Sequence, residues 1–153
     1  MPVDKRKAII ADIRTRLLEI TTSNAFHQTV KSVLKRAKNT EIETPASYPI
    51  IWMEVGSESS PFVAFETTSE MESVFTIELV LGLNPAQNED YVDKMEDFIR
   101  DVKAKLHADP RRSNLAQWSA VVAVSEPVII ADRSLVEARV TVETEYVVLP
   151  TDP

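Results

Sequence analysis

Glu143 and Glu145 stand two residues apart in the segment SLVEARVTVETEYVVL, residues 134–149, and that spacing poses the first chemical question. On an extended strand alternate side chains share a face, so two such carboxylates lie roughly 7 Å apart, near enough for acid/base work or for holding a cation. The same spacing also keeps an outward strand face charged, which stops a sheet from pairing with the wrong neighbour. The surrounding alternation favours this second reading. Val136, Ala138, Val140, Val142, Thr144, Tyr146 and Val148 fall on one face, and Glu137, Arg139, Thr141, Glu143 and Glu145 on the other.

Other chemistries find less support. The two histidines, His27 and His107, have no ligand partner at helical or loop spacing, which argues against a zinc site and for exposed or capping roles. Cysteine is absent, so disulfides and thiolate ligands are excluded, in keeping with a reducing compartment. Only Gly56 and Gly82 occur, against an average usage of about 7%, so phosphate-cradling loops and nucleophile elbows are missing. A triad built from distant positions leaves no local signature, but no serine sits in a glycine-flanked turn to support one. The reading assigns no catalytic residue, no metal and no cofactor.

The net charge of −7 argues against a dedicated nucleic-acid binder, which needs a cationic footprint. It does not bar DNA from passing nearby, since an acidic surface lets a strand slide past without holding it. Lys31, Lys35, Arg36 and Lys38 lack interleaved aromatics and read as a surface patch for an acidic protein neighbour. Arg111 and Arg112 read the same way. Trp52 and Trp118 sit in apolar alternation as core residues, and Trp118, close to the arginine loop, is the one suited to anchor an interface.

These side chains need a scaffold. With 153 residues, 44% hydrophobic and 27% charged, the chain matches one globular domain, residues 1–153. No apolar run approaches the roughly 20 residues of a membrane span. Charges interleave the apolar positions of MPVDKRKAIIADIRTRLLEI, so no signal peptide is expected there. Residues 4–22 have the three- and four-residue apolar steps of a helix capped by Asp4. Strands are expected at 29–36, 50–55, 62–67 and 72–83, with a turn at 56–61 and a projecting polar hairpin between Gly56 and Ser73. Asn88 caps a second helix whose stripe is Tyr91, Val92, Met95, Phe98, Ile99, Val102 and Leu106. A strand at 118–124, a turn region at 126–133 and the closing strand follow. The pattern predicts an α+β fold of order α-β-β-β-β-α-β-β, a mainly antiparallel sheet with both helices on one face.

Four segments in this order, IIADIRTRLLEI, PIIWMEVGSE, YVDKMEDFIRDVKAKLHADP and VEARVTVETEYVV, resemble the tail terminator, or tail completion, proteins of long-tailed bacteriophages. The resemblance spans nearly the whole chain and lies in pattern and order. It implies a subunit of a hexameric ring that caps the tail tube, stops its polymerisation, and offers a surface to head-completion proteins. DNA would pass through the lumen, and a sheath protein would be a further neighbour in a contractile tail. It implies a virion protein with no turnover, assembled in the bacterial cytoplasm. Another head-to-tail joining protein of the neck is the close alternative, and a small ligand-binding or hydrolytic domain the more distant one. For interfaces the reading names Glu58, Glu66, Glu70, Arg111, Arg112, Trp118, Glu143 and Glu145, with the acidic hairpin and the basic loop on opposite edges, meeting head to tail.

Overall fold

The computed structural model describes residues 4–37, 47–59, 71–84, 90–112, 115–130 and 135–148. Helix α1 (Lys5–Leu18) starts at Asp4, whose side chain accepts the Lys7 N–H at 3.1 Å. It stops four residues before the expected end, because Thr21 is extended and caps a single 3-10 turn at Thr22–Asn24. Strand β1 (Ser32–Arg36) begins later than residue 29, since the Val30 N–H is bonded back to the Ile20 carbonyl. Strand β2 (Ile50–Ser59) continues through the segment expected to turn, carried past Gly56 by a bulge between Val55 and Glu58. Strand β3 (Met71–Leu83) and helix α2 (Tyr91–His107) follow. The expected strand at 62–67 lies outside the described residues, and α2 starts two residues later than an Asn88 cap implies, with Asp90 at the N-cap and no side-chain cap bond.

Strand β4 (Trp118–Val124), the short β5 (Val128–Ile130) and the long β6 (Leu135–Val148) complete the fold. β5 falls in the region 126–133 that the sequence predicts as a turn around Pro127. It is too short to show periodicity, and pairing with β6 makes it a strand.

The sheet order is β1-β2-β3-β6-β4, with β5 also paired to β6. β1 runs parallel to β2 and every other pairing is antiparallel. This is the α+β architecture with a mainly antiparallel sheet. β6 lies inside the sheet, against β3 from Met71↔Val148 to Leu83↔Val136 and against β4 and β5 on its other side.

Both helices cover the same face. Ile9, Ile13 and Leu17 of α1 join Met95, Phe98, Val102 and Leu106 of α2 in one core with Met53, Ile77, Leu79, Val140 and Val142. The aliphatic face expected for the closing strand is the buried one. Val92, placed in the α2 stripe from sequence, is exposed in the first turn of the helix, whose buried positions begin at Met95. Arg16 fastens the helices at one end, bonding Asp12 at 2.8 Å and Asp109 at 2.7 Å. Among the described residues, no helix is long and apolar enough to cross a membrane.

Candidate functional site on the sheet face away from the helices

The second sheet face is graded from apolar to acidic along its strands. At one end Ile50, Trp52, Val80 and Leu135 form a small separate cluster. Gly82 makes room for it. A β-carbon there would come within 2.9 Å of both Ile50 Cγ2 and Trp52 Cζ3. The Arg36 guanidinium lies 5.1 Å from the Trp52 ring centroid, capping the cluster with a cation–π contact.

A charged band comes next. Glu54 of β2 and Glu78 of β3 are direct cross-strand partners, a placement that repels unless cations intervene. Two do. Arg36 donates from Nε to Glu54 Oε2 at 2.8 Å, with its Nη2 2.7 Å from the same oxygen. Arg139 Nη1 lies 3.1 Å from both Glu54 Oε1 and Glu78 Oε2, and its Nε reaches Glu137 Oε1 at 3.2 Å. Burial disfavours the Arg139 cation. The bond to Glu54 and the charges of Glu78 and Glu137 outweigh that and raise its pKa. Glu54 is only 2% exposed, and Nη1 of Arg36 is buried without a partner among the described residues.

Beyond the band opens a cavity of about 240 Å³ lined by Glu54, Gly56, Thr76, Glu78 and Thr141. Its lining is oxygen-rich, yet both oxygens of Glu54 are occupied by guanidiniums, which makes it a poor general base. Among the described residues, no group of three or more His, Asp or Glu side chains is placed to hold a metal ion.

The last band contains the carboxylates that opened the chemical question. Glu143 sits between Thr76 and Ala120, and Glu145 between Val74 and Trp118. The Trp118 indole N–H donates to Glu145 Oε2 at 2.7 Å, so these two residues are tied to each other within the subunit. Trp118 is half-buried rather than a core residue.

The remaining interface candidates separate. The Tyr146 hydroxyl donates to Glu58 Oε1 at 2.6 Å, and Arg6 Nη1 lies 3.7 Å from that oxygen. Burial, then the Glu58 hydrogen bond and charge, push the Tyr146 hydroxyl well above its ordinary pKa. Arg6 also donates to the Gly56 carbonyl at 2.9 Å and lies over Phe75, which packs edge-on to Tyr146. Glu66 and Glu70 lie outside the described residues.

Arg111 is exposed, but Arg112 is completely buried, which removes it from any basic surface loop. It donates to the Leu106 carbonyl at the end of α2 and stands 4.0 Å from Asp12. Burial lowers its pKa, against the opposing pull of Asp12. A long cation in a proline-flanked loop reads as surface, and nothing in its spacing marks it as a helix cap.

Both histidines belong to contacts that fix backbone, His107 directly and His27 through Asp101. His27 Nδ1 lies 2.8 Å from Asp101 Oδ1, and the same buried carboxylate accepts the N–H groups of His27 and Gln28. His107 Nε2 accepts the Val121 N–H at 3.1 Å. Sequence reasoning missed Asp101 and the Arg36–Glu54–Arg139 set. The one available signal was Glu54 itself, the lone charge in IIWMEV.

No family model matches the chain, and no curated protein matches it. One solved structure without a descriptive name aligns over 96% of this chain and 98% of its own at 15% identity, with a TM-score of 0.45. A likeness that slight carries no argument.

Proposed function

We propose that this chain is a structural subunit of a long-tailed bacteriophage, a tail terminator that forms a ring on the end of the tail tube. The ring stops tube growth and gives head-completion or neck proteins their docking surface. The observation that carries this reading is the β4–β5 edge. Within eight residues it presents Val122, Val124, Val128 and Ile129, each between 39% and 53% exposed, along an edge that no described strand pairs. Aliphatic surface concentrated on a sheet edge is a liability for a lone subunit and an asset for an assembling one.

The acidic end of the second sheet face suits a subunit past which DNA moves without being held. Glu143 and Glu145 act there by charge and not by turnover, while Glu137 is held by Arg139 nearer the apolar end. A hexameric ring, with tube protein on one side and neck proteins on the other, follows from the resemblance in element order.

The test mixes the purified chain with tail tube subunits of the same phage, followed by light scattering and negative-stain electron microscopy. Tubes of limited length with a ring at one end are expected. A chain that stays monomeric and leaves tube growth unchanged overturns the reading. Binding to head-completion protein but not to tubes would move the chain to the neck.

A further inference from the structure

We propose that the β4–β5 edge of one subunit docks, head to tail, against the β1 edge of a second copy of this chain. The inference rests on the assembly reading and names its interface. The sheet has two outer edges, β1 on one side and β4 with β5 on the other, and no described strand pairs with either. β1 projects Leu34, 46% exposed, between the exposed Lys31 and Lys35, and residues 31–37 contain no acid. Residues 115–130 contain a single charge, Glu126, which is exposed beside the four exposed aliphatics.

The two edges are thus complementary to each other and not to themselves. A β1-to-β1 contact would bring lysines together, and a contact of two β4–β5 edges would place Glu126 near its own copy. Joining unlike edges buries Leu34 among aliphatics and sets lysine near glutamate. A contact between unlike patches is heterologous, so repetition closes a ring or extends a filament.

Side chains dominate this contact. The Val33 carbonyl already accepts from Arg14 Nε at 3.0 Å, the Val121 N–H is bonded to His107 within the subunit, and Pro127 has none. A continuous ladder of strand hydrogen bonds between subunits is therefore interrupted.

The chain contains no cysteine, so an introduced pair reports contact without background. Leu34→Cys is combined in turn with Val122→Cys, Val124→Cys, Val128→Cys and Ile129→Cys, and the full-length proteins are oxidised over a concentration series. At least one combination is expected to give a ladder of covalent oligomers reversed by reductant, whereas the Leu34→Cys, Val92→Cys control and each single variant give none. Lys35→Glu should lower the yield about two- to fivefold, and adding Glu126→Lys should restore it. Efficient dimers from a single variant would overturn the proposal in favour of a like-to-like contact. Rings of wild-type protein under the microscope with no cross-linking pair overturn this interface and leave the assembly reading standing. A wild-type chain that stays monomeric and leaves tube growth unchanged, with no cross-link in the presence of tubes, overturns both.

Discussion

Arg112 and Glu54 are both buried charges, yet their surroundings predict opposite responses to substitution. Among the described residues the Arg112 side chain makes one hydrogen bond and leaves Nε and Nη1 without hydrogen-bond partners, and the residue sits at a positive φ of 49°. Arg112→Met should therefore change stability by no more than about 1 kcal/mol, because the lost bond offsets relief from burying a poorly paired cation. Urea denaturation measures it, and a loss of several kcal/mol would show that the cap at Leu106 outweighs the cost of burying the cation. Glu54 has a guanidinium on each oxygen. Glu54→Gln should cost about 3 kcal/mol, since it leaves two cations facing a neutral group. Glu78→Gln should cost less than about 1 kcal/mol, as Arg139 keeps Glu54 and Glu137. His27 offers a pH test. Its hydrogen bond to Asp101 and that residue's charge raise its pKa above the ordinary 6.5. The stabilisation is thus fully present below pH 6.5 and is lost as pH rises through the raised folded value. An NMR titration should place the His27 midpoint above 6.5, and Asp101→Asn should return it towards that value.

At the level of elements, β2 and β3 approach each other closely at Gly56, where a β-carbon would lie 2.5 Å from Thr76 Oγ1 and 2.9 Å from the Thr76 carbonyl oxygen. Backbone cannot move aside as a side chain can. Gly56→Ala should accordingly destabilise more than Gly82→Ala, whose neighbours are side chains, with overpacking at the latter costing about 1–3 kcal/mol. Thermal denaturation of the two variants decides the order. The same strands show what a sequence reveals. β6 was legible because its alternation runs for fourteen residues and one face is apolar apart from Thr144 and the Tyr146 hydroxyl. The helices were legible from their stripes. β2 beyond Val55 was not, because Gly56, Ser57, Glu58 and Ser59 have no apolar alternation, and it is the pairing of Glu58 and Ser59 with β3 beyond the bulge that extends the strand. The charged band was invisible for a related reason: Arg36, Glu54, Glu78 and Arg139 come from four strands, and only the register brings them together.

For the whole molecule, the distribution of charge predicts indifference to nucleic acid. With a net charge of −7 the chain should fail to retard double-stranded DNA in a gel-shift assay even at low salt, and a salt-sensitive shift would contradict the acidic-passage reading. The position of β6 governs how the molecule is made. Every other strand is synthesised before it, yet β6 separates β3 from β4, and Lys5 in α1 donates to the Val147 carbonyl near its far end. A nascent chain on the ribosome therefore cannot zip the sheet progressively. Until β6 emerges, β3 and β4 have no common partner and the core beneath α1 and α2 lacks an inner strand. Folding must wait for late, long-range closure, a topology that favours slow folding and leaves strand edges available to chaperones.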